Sequence, residues 1–411
     1  VLFRKPMGNN RFQYTAITSA GDTAQIEKFK KELMSKSTST IVDEGNIGEA
    51  ISLPTALSLR YTVRYAAEDN FWNVVKLIRN QPGASNKINA VIVFAKDDKE
   101  SGSVAKLIEQ AANDPTFDIV YIDATKSPLG ADLYAQYIEN MANSFCYRRN
   151  DNAMSAQYEN MAKETLKKWR SRIAGGEFEV VRRVQGSDAD RIERERYVNI
   201  DQLIDGLRTI NKKKYPYALE ANFSVIDNLF SANQLKQGVK CGASGVIEGT
   251  YKTNNESMKL ENALRGAWGT AVGDRYWEEQ PTLAISKIKQ CVEDTIAEGF
   301  NADAQISISA IYDKLKEAPY GILPCNLTAF VLGFVLREYA NDAYRYNDGL
   351  TSDYMSIAKL QEMVDDIIKL QNTANPRYKD KYIGTMTDEE KSFNEVTSAA
   401  FDIPMTFCTS I

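Results

Sequence analysis

Apolar residues along this chain fall into three patterns, and each predicts a different kind of element. Continuous runs are the first. Residues 90–95 (AVIVFA) predict a strand buried on both faces, and residues 118–124 (DIVYIDA) predict the next one. Between them Val104, Leu107, Ile108 and Ala111 recur at helical spacing. Strand, helix and strand at this length make a βαβ unit in a parallel sheet. Strict alternation is the second pattern. Leu57, Leu59, Tyr61, Val63 and Tyr65 alternate with Ser58, Arg60, Thr62 and Arg64, which predicts a strand with one wet face. Residues 11–17 predict another strand, after which Asp22 caps a helix with Ile26, Phe29 and Leu33 on one face. Helical periodicity is the third. It groups Phe71, Trp72, Val75 and Ile78 in a short helix closed by Pro82-Gly83, and Leu133, Tyr137, Ile138 and Met141 on the face of another. Residues 158–173 read as a long charged amphipathic helix, Gly175-Gly176 breaks it, and 178–184 return to strand. Further helices are expected over 222–237 and from Pro281 to residue 296.

The most apolar stretch is 305–349. Its pattern is a short strand, a helix on Ile308, Ile311, Tyr312 and Leu315, a Pro319-Tyr320-Gly321 break, and a second helix. Ser309 is the expected cap of the first helix, and Pro319 and Gly321 end it. The second restarts near Asn326 and crowds Leu327, Phe330, Val331, Phe334, Val335 and Leu336, so burial on several sides is expected. Tyr344 and Tyr346 open a hairpin, Asn347-Asp348-Gly349 turns it, and Tyr354 and Ser356 return. A helix through Ile357, Leu360, Met363, Val364, Ile367, Ile368 and Leu370 follows. This is the grammar of a winged helix.

The same stretch resembles a segment of the large bacterial P-loop ATPases of phage defence, the BREX-type ATPases and their relatives. The residues that carry the resemblance are Ala318-Pro319-Tyr320-Gly321, Leu336-Arg337-Glu338-Tyr339 and Tyr346-Asn347-Asp348-Gly349, about a tenth of the chain. The resemblance implies a cytoplasmic parent ATPase. This chain would then be a non-catalytic region outside the nucleotide-binding core, used for assembly with protein partners or the remainder of a larger chain, with DNA as a further candidate partner. No residue matches the nucleotide-binding motifs of that family, so it implies no catalytic position and no cofactor.

Composition narrows the chemistry. The chain has 411 residues and no histidine, which removes Ser-His-Asp and Cys-His catalysis and every His-containing zinc site. Its five cysteines (Cys146, Cys241, Cys291, Cys325, Cys408) lie far apart without a Cys-x-x-Cys pair, as expected of reduced thiols. No apolar run reaches membrane length. Five regions are expected: 1–85 (α+β), 86–150 (the βαβ unit), 151–300 (mostly helical), 301–371 (winged-helix-like) and a tail over 372–411. The opening at Val1 and the ending at Ile411 read as those of a piece of a longer protein. The fold class is mixed α/β with helix in excess.

Three constellations could carry function. Asp97 and Asp98 follow one strand of the βαβ unit and Asp123 ends the next, at the sheet edge where parallel sheets bind ligands. Together they could hold magnesium, which defines the rival reading of a magnesium-dependent phosphoryl enzyme. The plainer reading is solvated loop acids, because Lys96 and Lys99 flank the pair and no G-x-x-x-x-G-K-[ST] is present. Gly242-Ala243-Ser244-Gly245 lacks the lysine of a phosphate loop and reads as a helix-ending turn. Residues 163–214 hold fourteen Lys or Arg against nine Asp or Glu, while the whole chain carries −5. There Arg170, Arg172, Arg182, Arg183, Lys212, Lys213 and Lys214 are the candidate nucleic-acid contacts, against the plainer reading of a salt-bridged face. A third reading, a winged-helix DNA-binding regulator, needs a polar recognition helix. The second helix here is almost wholly apolar, with Arg337 and Arg345 the nearby cations.

Overall fold

The two continuous apolar runs become neighbouring strands at the centre of a sheet, as burial on both faces requires. The computed structural model describes residues 2–6, 12–16, 20–79, 87–116, 118–184, 191–218, 235–243, 276–372, 377–386 and 388–403. The fold is mixed α/β and helix-rich, and its contacts fall into two units, Val1–Thr209 and Ile210–Ile411.

The first unit opens with an antiparallel pair, β1 (Leu2–Pro6) and β2 (Phe12–Ala16), then α1 (Ala20–Met34) and α2 (Thr38–Glu44). The helix α1 begins two residues before Asp22, so Asp22 lies inside the first turn and is not the cap. The alternating segment 57–65 also divides. Pro54 leads into α3 (Thr55–Arg60), where the Ser58 N–H closes a helical turn on the Pro54 carbonyl at 2.9 Å, and only Tyr61–Ala66 is strand β3. Alternation could not separate the two because Leu57 and Tyr61, four apart, are buried together whichever way the chain runs.

After β3 come α4 (Phe71–Arg79), β4 (Ile88–Val93), α5 (Asp98–Asn113) and β5 (Ile119–Asp123). Pro82-Gly83 lies outside the described residues. Then α6 (Ala131–Tyr147) and α7 (Asn152–Ala174) form a helical hairpin, and β6 (Phe178–Val184) and β7 (Arg191–Tyr197) complete the sheet. Strand order is β3-β4-β5-β6-β7, parallel over the first three and antiparallel from β5 onward. Val91, Val93, Tyr121 and Val181 face α4 and α5, packing with Phe71, Val75, Val104 and Ile108. The alternate residues Ile92, Ile122 and Val180 are paired across the strands and face the other way. On that side Phe94, just past β4, meets Trp169 of α7 edge to face at 6.3 Å.

The helix α8 (Ile200–Lys214) crosses the boundary between the units. The second unit contains α9 (Leu235–Ala243), the single turn α10 (Tyr276–Glu279), α11 (Ala284–Asp303), β8 (Gln305–Ser307), α12 (Ile308–Lys316) and α13 (Asn326–Val335). The hairpin β9 (Tyr344–Asn347) and β10 (Ser352–Tyr354), α14 (Ile357–Asn372), β11 (Tyr382–Thr385) and α15 (Asp388–Phe401) follow. Most of the helix expected over 222–237 lies outside the described residues, as do Ser244 and Gly245.

Three details differ from expectation. Ser307, not Ser309, caps α12, its hydroxyl accepting the Ala310 N–H at 3.1 Å. Gly242 is no turn: it lies inside α9, where an added Cβ would stand 2.2 Å from the Phe330 carbonyl oxygen of α13. The element order from α11 to β10 is that of a winged helix, but the sheet is not. Its order is β10-β9-β11-β8, so β11, which arrives after α14, separates the hairpin from β8. All ten residues of α13 are buried, so it is the core of this unit.

Candidate functional site

The carboxyl-terminal edge of the parallel strands is built from short-range bonds. Asp97 caps α5, its carboxylate accepting the Glu100 N–H at 2.9 Å, which satisfies an orphan donor of the first turn. Asp98 is exposed in that turn. Asp123 is buried, and its Oδ1 accepts the Thr125 N–H at 2.8 Å. Burial pushes the Asp123 carboxyl up, against the opposing pull of the hydrogen bonds from Thr125. Among the described residues no three Asp, Glu or Cys side chains form a group that could hold a metal ion, so Asp97, Asp98 and Asp123 are not brought together for one.

The acid that dominates this edge is Glu100, which sequence reasoning passed over. It is buried, and it accepts the Thr38 hydroxyl at 2.7 and 2.9 Å and the Lys96 N–H at 2.9 Å. Lys96 Nζ stands 2.8 Å from it. Burial draws the Lys96 ammonium down, but Glu100 outweighs it and holds the group above its ordinary range. The chemical outcome is a pin: α2 is fastened through Thr38 to the first turn of α5. The i, i+4 spacing of Lys96 and Glu100 was the available signal.

The basic window is divided between the units, with Lys212, Lys213 and Lys214 in the second. In the first unit each candidate arginine is engaged. Arg170 pairs with Glu49 at 2.8 Å and Arg182 with Glu193 at 2.5 Å. Arg172 donates to the Pro128 and Leu129 carbonyls at 3.2 and 3.0 Å, and Arg183 to the Asn113 carbonyl at 2.8 Å. The strand β7 extends this pattern, with Arg194 3.6 Å from both Glu109 and Glu179 and Arg196 3.2 Å from Glu179. These arginines hold sheet and helix together. Lys212 and Lys213 are exposed in the last turn of α8, where cations complement the helix dipole.

In the second unit the polar chemistry surrounds α13. Lys289 of α11 is fully buried, donates to the Val335 carbonyl at 2.8 Å, and pairs with Glu338 at 2.9 Å and with Glu293. Its ammonium lies 4.9 Å from the centre of the Trp277 ring. It thus satisfies an orphan carbonyl at the end of the core helix. Arg337 stacks over Phe334 at 4.6 Å, and the buried Arg345 lies 4.6 Å over Tyr354 and 3.7 Å from Glu390 of α15. A cavity of about 610 Å³ beside the hairpin turn is lined by Asp348, Glu362, Asp366, Lys369, Arg377 and Lys381 among others. There Lys381 is committed to Asp366 and, at 3.1 Å, to Glu362.

The last helix is different. Among the described residues of α15 only Asn394 is buried, bonded at 3.0 Å to the Tyr354 hydroxyl. Phe393, Val396 and Phe401 stand 47%, 65% and 70% exposed. Compared with known proteins, the chain matches no family model, no curated protein and no solved structure. Among the described residues no helix is long and apolar enough to cross a membrane.

Proposed function

We propose that this chain is an interaction region of a larger assembly, with the outer side of α15 as a docking surface for a protein partner. The observation that carries this is the exposed set Phe393, Val396 and Phe401, on a helix anchored to its unit through Asn394 and Glu390. One exposed apolar side chain is ordinary, whereas Phe393, Val396 and the exposed Ala400, at i, i+3 and i+7, share the outer side of one helix, with Phe401 exposed at its end. The same segment carries Asp388, Glu389, Glu390, Glu395 and Asp402 against Lys391 alone. The complementary partner is an amphipathic helix whose apolar stripe is flanked by Lys or Arg. The internal engagement of Arg170, Arg172, Arg182 and Arg183 supports a protein rather than DNA as the partner. In keeping with the resemblance of residues 305–349, the assembly we propose is a bacterial phage-defence ATPase, within which this chain is non-catalytic.

The test uses two designed helical peptides with one leucine stripe, flanked by lysine in the first and by glutamate in the second. Fluorescence anisotropy should show binding of the lysine peptide only. Binding should be lost in Phe393→Asp/Val396→Asp while the melting temperature is unchanged. Equal binding by parent and variant, or no binding of the lysine peptide, would remove α15 as the docking surface.

A further inference from the structure

The five-stranded sheet has two edges, and they differ. At β7 the edge carries arginines and glutamates in ion pairs, an ordinary guard against pairing with another chain. At the opposite edge β3 reads Tyr61-Thr62-Val63-Arg64-Tyr65-Ala66, a strand-forming sequence whose sole charge is Arg64. The Ala66 carbonyl accepts the Phe94 N–H at 2.9 Å. Main-chain groups alternate sides along a strand, so Thr62, Arg64 and Ala66 bond to β4, while Val63 and Tyr65 turn their N–H and C=O outward. Among the described residues nothing bonds to those outward groups. Beside them lies a cavity of about 450 Å³, lined by Tyr61, Val63 and Tyr65 together with Ile51 and Leu53. The segment that carries Ile51 and Leu53 is held to α7 through Glu49 and Arg170, 2.8 Å apart.

Arg64 adds charge to this edge. Its side chain lies on the opposite face from Val63 and Tyr65, the face where Ala66 joins the core under α4 and α5. The residue is half-buried, its Nε is closed off from solvent, and no hydrogen bond or ion pair joins its side chain to a described residue. A partly desolvated guanidinium without a partner is costly, and the group that answers it best is a carboxylate. Outward main-chain groups that repeat every two residues, about 6.6 Å, match the edge of another extended chain. In such a pairing the side chain opposite Arg64 lies on the Arg64 face, and its two neighbours lie on the other face, at the cavity. The first is then Asp or Glu, and the neighbours are apolar. A second copy of this chain fits poorly. A two-fold antiparallel pair centred on Arg64 sets two guanidinium groups face to face. Centred on Val63 or on Tyr65, it needs the N–H of Tyr61 or of Ala67, and these are already bonded to the Leu57 carbonyl and the Asn70 side chain.

We propose that the outer edge of β3 accepts an extended strand of a partner protein, with an acidic side chain opposite Arg64 and an apolar one on either side of it. This site lies in the first unit and is independent of α15 in the second.

The probe is a cyclic peptide that holds the strand Thr-Val-Glu-Val-Thr extended, labelled for fluorescence anisotropy and titrated with the full chain. Two companion peptides replace its glutamate by lysine or methylate the main-chain nitrogens of its pairing edge. The parent chain should bind the glutamate peptide about tenfold more tightly than the lysine peptide. Methylation should weaken binding by about fivefold or more, the scale of a lost hydrogen bond. Arg64→Glu should reverse the preference between glutamate and lysine. Val63→Pro removes an outward donor and no bond to β4, and should weaken the glutamate peptide as methylation does. Hydrogen exchange reads the same edge without any variant: the Val63 and Tyr65 amides should exchange fast in the free chain and slow with peptide, while the Arg64 amide is protected throughout. The proposal fails if no peptide binds, if glutamate and lysine peptides bind alike, or if methylation changes nothing. Protection of Val63 and Tyr65 in the free chain would mean that another segment of this chain or a second copy already covers the edge, and would overturn it. Loss of peptide binding in Phe393→Asp/Val396→Asp would assign the peptide to α15 and overturn it as well.

Discussion

Replacing Gly333 by alanine tests the packing of the second unit at its tightest point. Gly333 lies in α13 against α9, and an added Cβ would stand 2.4 Å from the Val239 carbonyl oxygen and 2.9 Å from its Cα. Both are backbone atoms, so no side chain can rotate away. Restoring ordinary contact of about 3.5 Å requires α9 to retreat by roughly 1 Å, which loosens the whole helix pair. Overpacking of this kind costs about 3 kcal/mol at the upper end of its usual range, and the helix gains about 1 kcal/mol from alanine over glycine. The net loss is about 2 kcal/mol, a fall of about 4–8 °C in melting temperature for a unit of this size. Gly102 in α5 is the control, because its added Cβ meets nothing within 4 Å. There the same substitution keeps only the helical gain and should raise the melting temperature by about 2–4 °C. Thermal melts followed by circular dichroism compare the two. If Gly333→Ala stabilises as Gly102→Ala does, α9 does not lie against α13, and the core helix has an open face after all.

Two further outcomes follow from buried charges. Burial raises the Asp123 carboxyl, so the stability it contributes is present below the ordinary carboxylate range and is lost as pH rises through its raised pKa. Asp123→Asn keeps an acceptor for the Thr125 N–H and cannot ionise. Its melting temperature should match the parent at about pH 3.5 and exceed it at neutral pH, and an equal difference at both would show that the carboxyl is not perturbed. Lys289→Met keeps the packed stem but strips Val335, Glu293 and Glu338 of their donor. Glu338 is 44% exposed and water can reach it, but the Glu293 Oε1 that faces the lysine is buried, so the expected loss is about 3 kcal/mol. Denaturant titration reads it, and a stability unchanged within error would mean the lysine is idle.

What was legible in the sequence follows from burial. The strands β4 and β5 and the helix between them are buried densely enough that their apolar runs admit one reading. The strand β7 was not legible, because Arg191, Glu193, Arg194, Glu195 and Arg196 alternate in charge and not in hydropathy, at a sheet edge that needs no apolar face. Gly242 misled for a related reason. A glycine near a helix end suggests a turn, and only the approach of α13 shows that it is there to let two backbones meet. The candidate acids and arginines were visible as residue types; the Asp123 partner Thr125 lies two residues on, but the arginine partners Glu49, Glu193 and Asn113 are set by tertiary structure. The hairpin that closes the winged-helix pattern was legible, whereas the insertion of β11 was not, because its pairing with β8 spans the whole of the intervening module.

A photo-crosslinking amino acid placed at Val396, with a second version at the exposed Lys99 as control, asks directly whether α15 meets a partner in the cell that makes this protein. The expected result is a discrete protein adduct from position 396 alone, lost when Phe393→Asp is added. Absence of any adduct, the same adduct from both positions, or an adduct to nucleic acid would contradict a protein-docking role for this helix.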